Sequence, residues 1–145
     1  ERNPPQPAQQ HLTLREAGQL AVEQLRVYRQ EQYQVAGSSY LIEAAVNFNG
    51  QAASVGVSFD GQTNGDRGFF FLNSDNSFSI ITVLDGQEQA EYSLRGVPTG
   101  EIRAGTNTMQ VVRGEQSYIF YINHAPVALM VEPPFGGGSV GLADQ

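Results

Sequence analysis

The sequence predicts an all-β chain, an antiparallel β-sandwich preceded by one amphipathic helix. Two observations carry that expectation. From Tyr40 onward apolar residues alternate with polar or small ones, as in Ser54-Val55-Gly56-Val57-Ser58-Phe59, and a period of two sends alternate side chains to opposite faces of a sheet. The alternating runs are broken by turn dipeptides at Asn49-Gly50, Asp60-Gly61, Asn64-Gly65, Asp85-Gly86 and Asn123-His124, where Gly, Asn and Asp supply the positive φ that tight hairpins need. Short strands recurring between such turns, with little helix, build sandwiches.

Taken in order, residues 1–12 are polar and carry Pro4, Pro5 and Pro7, the composition of an extended tail or linker. Thr13 and Glu16 stand at capping-box spacing. Leu14, Ala17, Ala21, Leu25 and Tyr28 then recur at helical spacing, which predicts an amphipathic helix within residues 13–33. Its apolar stripe either packs on the sandwich or meets a partner chain. Residues 34–145 form the sandwich, and the stretch from Asn107 to Leu142 is its clearest part. Met109 and Val111 alternate with Gln110, and Gly114-Glu115-Gln116 gives a polar break. Every residue of Tyr118-Ile119-Phe120-Tyr121-Ile122 is β-branched or aromatic, as suits a central strand covered on both faces. Asn123-His124 is a two-residue connection to a strand over Val127 to Val131, and Pro133-Pro134 ends it ahead of a glycine run.

Composition sets the function classes. A chain of 145 residues makes one domain that buries about two thirds of its unfolded surface, so no staple is needed. With no cysteine, disulfides, thiolate metal sites and cysteine nucleophiles are excluded. The net charge is −7 and all eight basic residues are arginine. The first 33 residues balance four Arg against four Glu, so the rest of the chain carries the whole excess, eleven acids against four Arg. Such a surface repels phosphate backbones, which argues against a nucleic-acid partner. No apolar run approaches the ~20 residues that span a bilayer, so no membrane span is expected. No signal peptide is visible, and the chain opens at Glu1 without a Met, as a processed or excised fragment would.

The order of Asn107 to Val111, a glycine turn, an aromatic strand ending Tyr121-Ile122-Asn123, an apolar strand, and a Gly-rich loop into Val140-Gly141-Leu142 resembles concanavalin A-like, laminin-G-like jelly-roll domains. More narrowly it is similar to the bacterial branch called 3-keto-disaccharide hydrolase-like or glucanase-like. In that branch the aromatic strand ends in Asn-Gly, and His124 takes the Gly position here. Tyr40 to Val46, Ala53 to Phe59, Gly68 to Leu72 and Asn76 to Gly86 resemble the earlier core strands, so the likeness covers about Tyr40 to Leu142. The resemblance implies an early Trp-bearing strand and a last strand after the present end. Both are missing from the sequence, which leads to the expectation of an uncovered sheet edge.

Catalysis finds little support. The Glu-x-Asp-x-x-Glu arrangement that the resemblance would require of a glucanase does not occur, and Glu43, Glu88 and Glu91 read as surface charges. His11 lies near the tail and His124 in a turn. Asp60, Asn64 and Asp66 cluster oxygen ligands in one loop and are candidates for structural calcium, with turn chemistry as the simpler account. No other cofactor is expected. Sugar binding needs an aromatic platform with amides and carboxylates beside it, and Tyr121, Asn123, Tyr118, Tyr92 and Phe70 are the candidates. If Tyr118, Phe120 and Ile122 face the core, Tyr121 faces out. The expected function is therefore a non-catalytic, extracytoplasmic recognition module for carbohydrate. The alternative is an accessory subunit that docks on a protein partner through its helix and open edge. A glycoside hydrolase follows only from the resemblance.

Overall fold

The computed structural model describes residues 9–16, 23–27, 32–34, 40–48, 52–131, 134–136 and 138–144. They form two antiparallel sheets. The strands are β1 (Gln9–Glu16), β2 (Glu23–Val27), β3 (Gln32–Gln34), β4 (Tyr40–Asn47), β5 (Ser54–Gly61), β6 (Arg67–Asn73) and β7 (Ser77–Leu84), then β8 (Gln87–Glu88), β9 (Leu94–Pro98), β10 (Thr106–Arg113), β11 (Ser117–Ile122), β12 (Ala125–Val131) and β13 (Ser139–Asp144). The first sheet runs in the order β12-β11-β10-β4-β1-β2, and the second β3-β13-β5-β6-β7-β8 with β9 also on β7. A single turn of 3-10 helix, Ala90–Tyr92, joins β8 to β9.

Alternation decides what lies between the sheets. β4, β10 and β11 bury every second residue, so Ile42, Val46, Met109, Val111, Phe120 and Ile122 all point inward. Val57, Phe59, Phe70, Leu72, Val140 and Leu142 meet them from the second sheet. The rings of Phe59, Phe70, Tyr118 and Phe120 form the centre, with centroids of 4.9 Å for Phe59–Tyr118 and 5.1 Å for Phe70–Phe120. Their tilted and edge-on arrangement is the one that ring quadrupoles favour.

The hairpin between β11 and β12 forms as expected, with Asn123 at φ 49° and His124 at φ 68°. The Asn123 side chain explains its place there. Its Oδ1 accepts the Thr108 amide at 2.8 Å, and its Nδ2 donates to the Glu101 carbonyl at 2.8 Å and to Asn107 Oδ1 at 2.9 Å. His124 is exposed and pays the left-handed penalty of a residue with a Cβ. His124→Gly should therefore stabilise the chain by about 0.5–1 kcal/mol, part of the relief being offset by the freer unfolded chain. Urea denaturation of the two proteins measures this.

The N-terminal segment differs from the expectation. Gln9–Glu16, Glu23–Val27 and Gln32–Gln34 are strands, where a tail and then a helix were expected; the rest of those two spans, including residues 17–22 and 28–31, lies outside the described residues. The reason is visible in the sequence. Leu12-Thr13-Leu14-Arg15 and Gln24-Leu25-Arg26-Val27 alternate with period two as well as matching a helical stripe. Pairing of β1 along the whole of β4, from Gln9↔Asn47 to Glu16↔Tyr40, decides between the two, because tertiary context overrides weak propensity. The same pairing moves the expected open edge: β1 and β2 extend the first sheet past β4, β13 lies between β3 and β5 in the second, and among the described strands the first sheet ends at β2 and β12.

Candidate functional site

Strict alternation in the first sheet leaves Tyr121, Gln110 and Glu43 on its outer face, each half-buried. Register places them in one line across three strands, Tyr121 opposite Gln110 and Gln110 opposite Glu43. Gln110 Nε2 donates to Glu43 Oε2 at 2.7 Å, so the amide and the carboxylate hold each other upright beside the phenol. An aromatic ring, an amide and a carboxylate thus share one cross-strand row, with neighbouring strands ~4.8 Å apart. On the other side Tyr121 faces Pro126, next to a register shift in the β11–β12 pair, and such irregularities re-aim side chains.

The other expected ligand residues do not join this row. Tyr118 and Phe70 are fully buried in the core, because each shares the inward phase of its strand. Neither presents a ring to solvent. Asn123 spends its side chain on the hairpin. Tyr92 is half-buried in the 3-10 turn, where its carbonyl accepts the Thr82 hydroxyl at 2.9 Å. Gln110 and Glu43 were not expected as ligands; the signal that finds them is register, which links residues 67 positions apart.

The loop expected to hold calcium is divided by the fold. Asp60 has no exposed surface, and its Oδ2 accepts both Arg113 Nη1 and the Tyr118 hydroxyl. These partners hold the carboxylate in the interior, while the side chains of Asn64 and Asp66 bond within the loop and to its neighbour. Those two follow turn chemistry: the Asp66 amide donates to Asn64 Oδ1 at 3.0 Å, and Asp66 Oδ1 accepts the Asp85 amide at 2.9 Å. Among the described residues no group of three or more His, Cys, Asp or Glu could hold a metal ion. Arg113 also donates to the Phe135 carbonyl at 3.3 and 3.2 Å, which ties the Gly-rich loop to the core. Burial pushes the hydroxyls of Tyr40 and Tyr118 far above the usual phenol range, and the Asp60 carboxylate adds to it. Burial acts to lower the Arg113 pKa, but Tyr118 and Asp60 more than offset it and leave it raised. Among the described residues Tyr40 Oη and Asp60 Oδ1 have no partner in hydrogen-bonding geometry, although Asp60 lies near enough to Tyr40 to raise its pKa.

The outer face of the second sheet is closed. Phe71, Ile81 and Ala143 form a small buried apolar cluster with Phe69 and Val83 against it. The polar groups beside it are spent on one another: Ser54 donates to Asn73 Oδ1 at 2.7 Å, Asn73 donates to Ser77 at 2.8 Å, and Ser77 donates to Asp75 at 2.6 Å. No free platform with polar neighbours remains there among the described residues.

Solved structures similar to this chain include galectins. Sheep galectin-11 in complex with glycerol aligns at a TM-score of 0.64 and 20% identity, over 81% of this chain and 92% of that one. Two variants of human galectin-16 align at 0.62 and 12% identity, over 82% of this chain and 89% of theirs. At such identities the likeness is one of fold, and it is that of the concanavalin A-like jelly-roll sandwich expected above. No protein-family model and no curated protein matches the sequence.

Proposed function

We propose that the chain is a non-catalytic carbohydrate-recognition module, and that it reads its ligand on the outer face of the first sheet. The observation that carries this is the row of Tyr121, Gln110 and Glu43. A phenol ring offers a flat apolar surface to a pyranose, while the amide and carboxylate accept and donate to its hydroxyls. The sandwich fold shared with the galectins supports the reading. A hydrolase would need a second carboxylate facing Glu43 across the ligand, and the partner of Glu43 is an amide. The extracytoplasmic setting belongs to the same proposal, as does the resemblance to the bacterial branch.

Tyr121→Ala tests it on a glycan array run with and without calcium. The expected result is a set of hits weakened at least about tenfold by the substitution, equivalent to ~1.4 kcal/mol. Stability should fall by less than about 2 kcal/mol, because Tyr121 is only half-buried and core aromatics cost about 3–5. Folded wild-type protein without a single hit would sink the reading. Hits that vanish with calcium removal would point instead to Asn64 and Asp66.

A further inference from the structure

On one flank of the sandwich the sheets part to leave an open cleft of about 360 Å³, within the range of sites that bind small groups. Its floor is core, Ile80 and Phe120; one wall is β12 and the other is the 3-10 turn with the start of β9. The mouth carries Leu94, Leu129 and Val131, exposed by 45%, 64% and 60%, and these are the large apolar side chains left exposed among the described residues. Leaving all three around one opening is unusual for a face meant for water.

The strand beside the cleft is itself unfinished. β12 ends its sheet and pairs with β11 alone among the described strands, so its far edge presents backbone groups that no described strand pairs. Natural edges are usually blunted by charge, proline or a bulge. β12 has Pro126 and a register shift only at its beginning, while Ala128-Leu129-Met130-Val131 has neither charge nor proline. Glu91 is the one charged residue on the lining, and no described residue pairs with it. A second copy of the chain would bring the same carboxylate, on a chain whose net charge is −7, which disfavours self-pairing.

We propose that this flank takes an extended, basic peptide segment of a partner protein, added as a strand to β12. One apolar side chain of the peptide enters the cleft above Ile80 and Phe120, and a lysine or arginine stands opposite Glu91. In strand addition the main chain supplies affinity and the side-chain pocket selects sequence. Register puts Leu129 opposite Ile119, on the outer face that also carries Tyr121, so the two sites are separated along that face: Tyr121 meets the start of β12 at Pro126, while Leu129 and Val131 lie towards its end.

The probe is a fluorescein-labelled heptapeptide, Lys-Val-Thr-Leu-Thr-Val-Lys, titrated with the full chain by fluorescence anisotropy. Saturable binding is expected. N-methylating the amides on one edge of the peptide should abolish it, while methylating those on the other edge should leave it intact, an asymmetry that hydrophobic adsorption does not produce. Replacing both lysines by glutamate should weaken binding at least about threefold. Leu129→Ser, at a position 64% exposed, should weaken it about tenfold without changing the thermal midpoint. No saturable binding to folded protein, or equal binding of the two methylated peptides, overturns strand addition. Equal affinity for the glutamate peptide overturns the role of Glu91.

Discussion

Arg113→Ala should lower the stability of the fold by about 3–5 kcal/mol, which corresponds to a fall in Tm of roughly 10–20 °C. Arg113 is 5% exposed and Asp60 is not exposed at all. Removing the guanidinium leaves the Asp60 carboxylate buried between the sheets with the Tyr118 hydroxyl as donor and the Tyr40 phenol beside it, and with its cation gone. The Phe135 carbonyl loses its two donors in the same step, which frees the Gly-rich loop as well. The loss is the cost of an uncompensated charge rather than the net worth of the pair. A triple replacement, Asp60→Asn with Arg113→Met and Tyr118→Phe, should accordingly recover part of it, because it removes the buried charge while keeping at position 60 a residue that tolerates the φ of 51°. Guanidinium denaturation of the single and triple variants decides the matter. A single-variant loss below about 1 kcal/mol would mean that water reaches the carboxylate and that the cluster is not a dry ion pair.

How much of this was legible beforehand depends on whether a residue's role is local. The Asn123-His124 hairpin was readable because its chemistry lies in two adjacent residues, and the structure gives both a positive φ. The strands around Ser54 to Phe59 and Asn107 to Ile122 were readable from alternation. Uniformly apolar stretches were not: in Phe69-Phe70-Phe71 each residue could face either way, and only packing against Phe120 and Phe78 turns Phe70 inward. Tyr118 shares that ambiguity within its five-residue apolar strand. Arg113 did carry a signal, since it follows Met109 and Val111 at intervals of two and so has the inward phase, but its partner Asp60 lies 53 residues away. Register, which makes a site of Tyr121, Gln110 and Glu43, is a property of which strands meet. The N-terminal segment is ambiguous for a different reason: its residues satisfy both a helical and an alternating pattern, and where they are described the pairing of β1 with β4 selects the strand.

Stability should also fall steeply on the alkaline side, and the buried phenols set where. Tyr40 and Tyr118 have raised pKa values in the folded chain, first through burial and then through Asp60. In the unfolded chain each loses its proton near the ordinary value of about 10. Below pH ~10 both states hold the two protons and stability is unaffected by them. Above it the unfolded state binds fewer protons than the folded one, so stability declines as pH rises, by about 2.7 kcal/mol per pH unit for the two groups together. Between pH 10 and 12 that amounts to roughly 5 kcal/mol, comparable to the whole stability of many domains. Phenolate absorbance near 295 nm provides the readout. The phenolate signal of Tyr40 and Tyr118 should appear only together with the loss of near-ultraviolet circular dichroism. Tyr40→Phe should halve the slope contributed by the pair. If the phenolate signal of Tyr40 and Tyr118, isolated by difference from the Tyr40→Phe and Tyr118→Phe variants, appears near the ordinary value of about 10 in protein that is still folded, the interior around Asp60 and Arg113 is open to solvent, and the Arg113→Ala penalty must shrink with it.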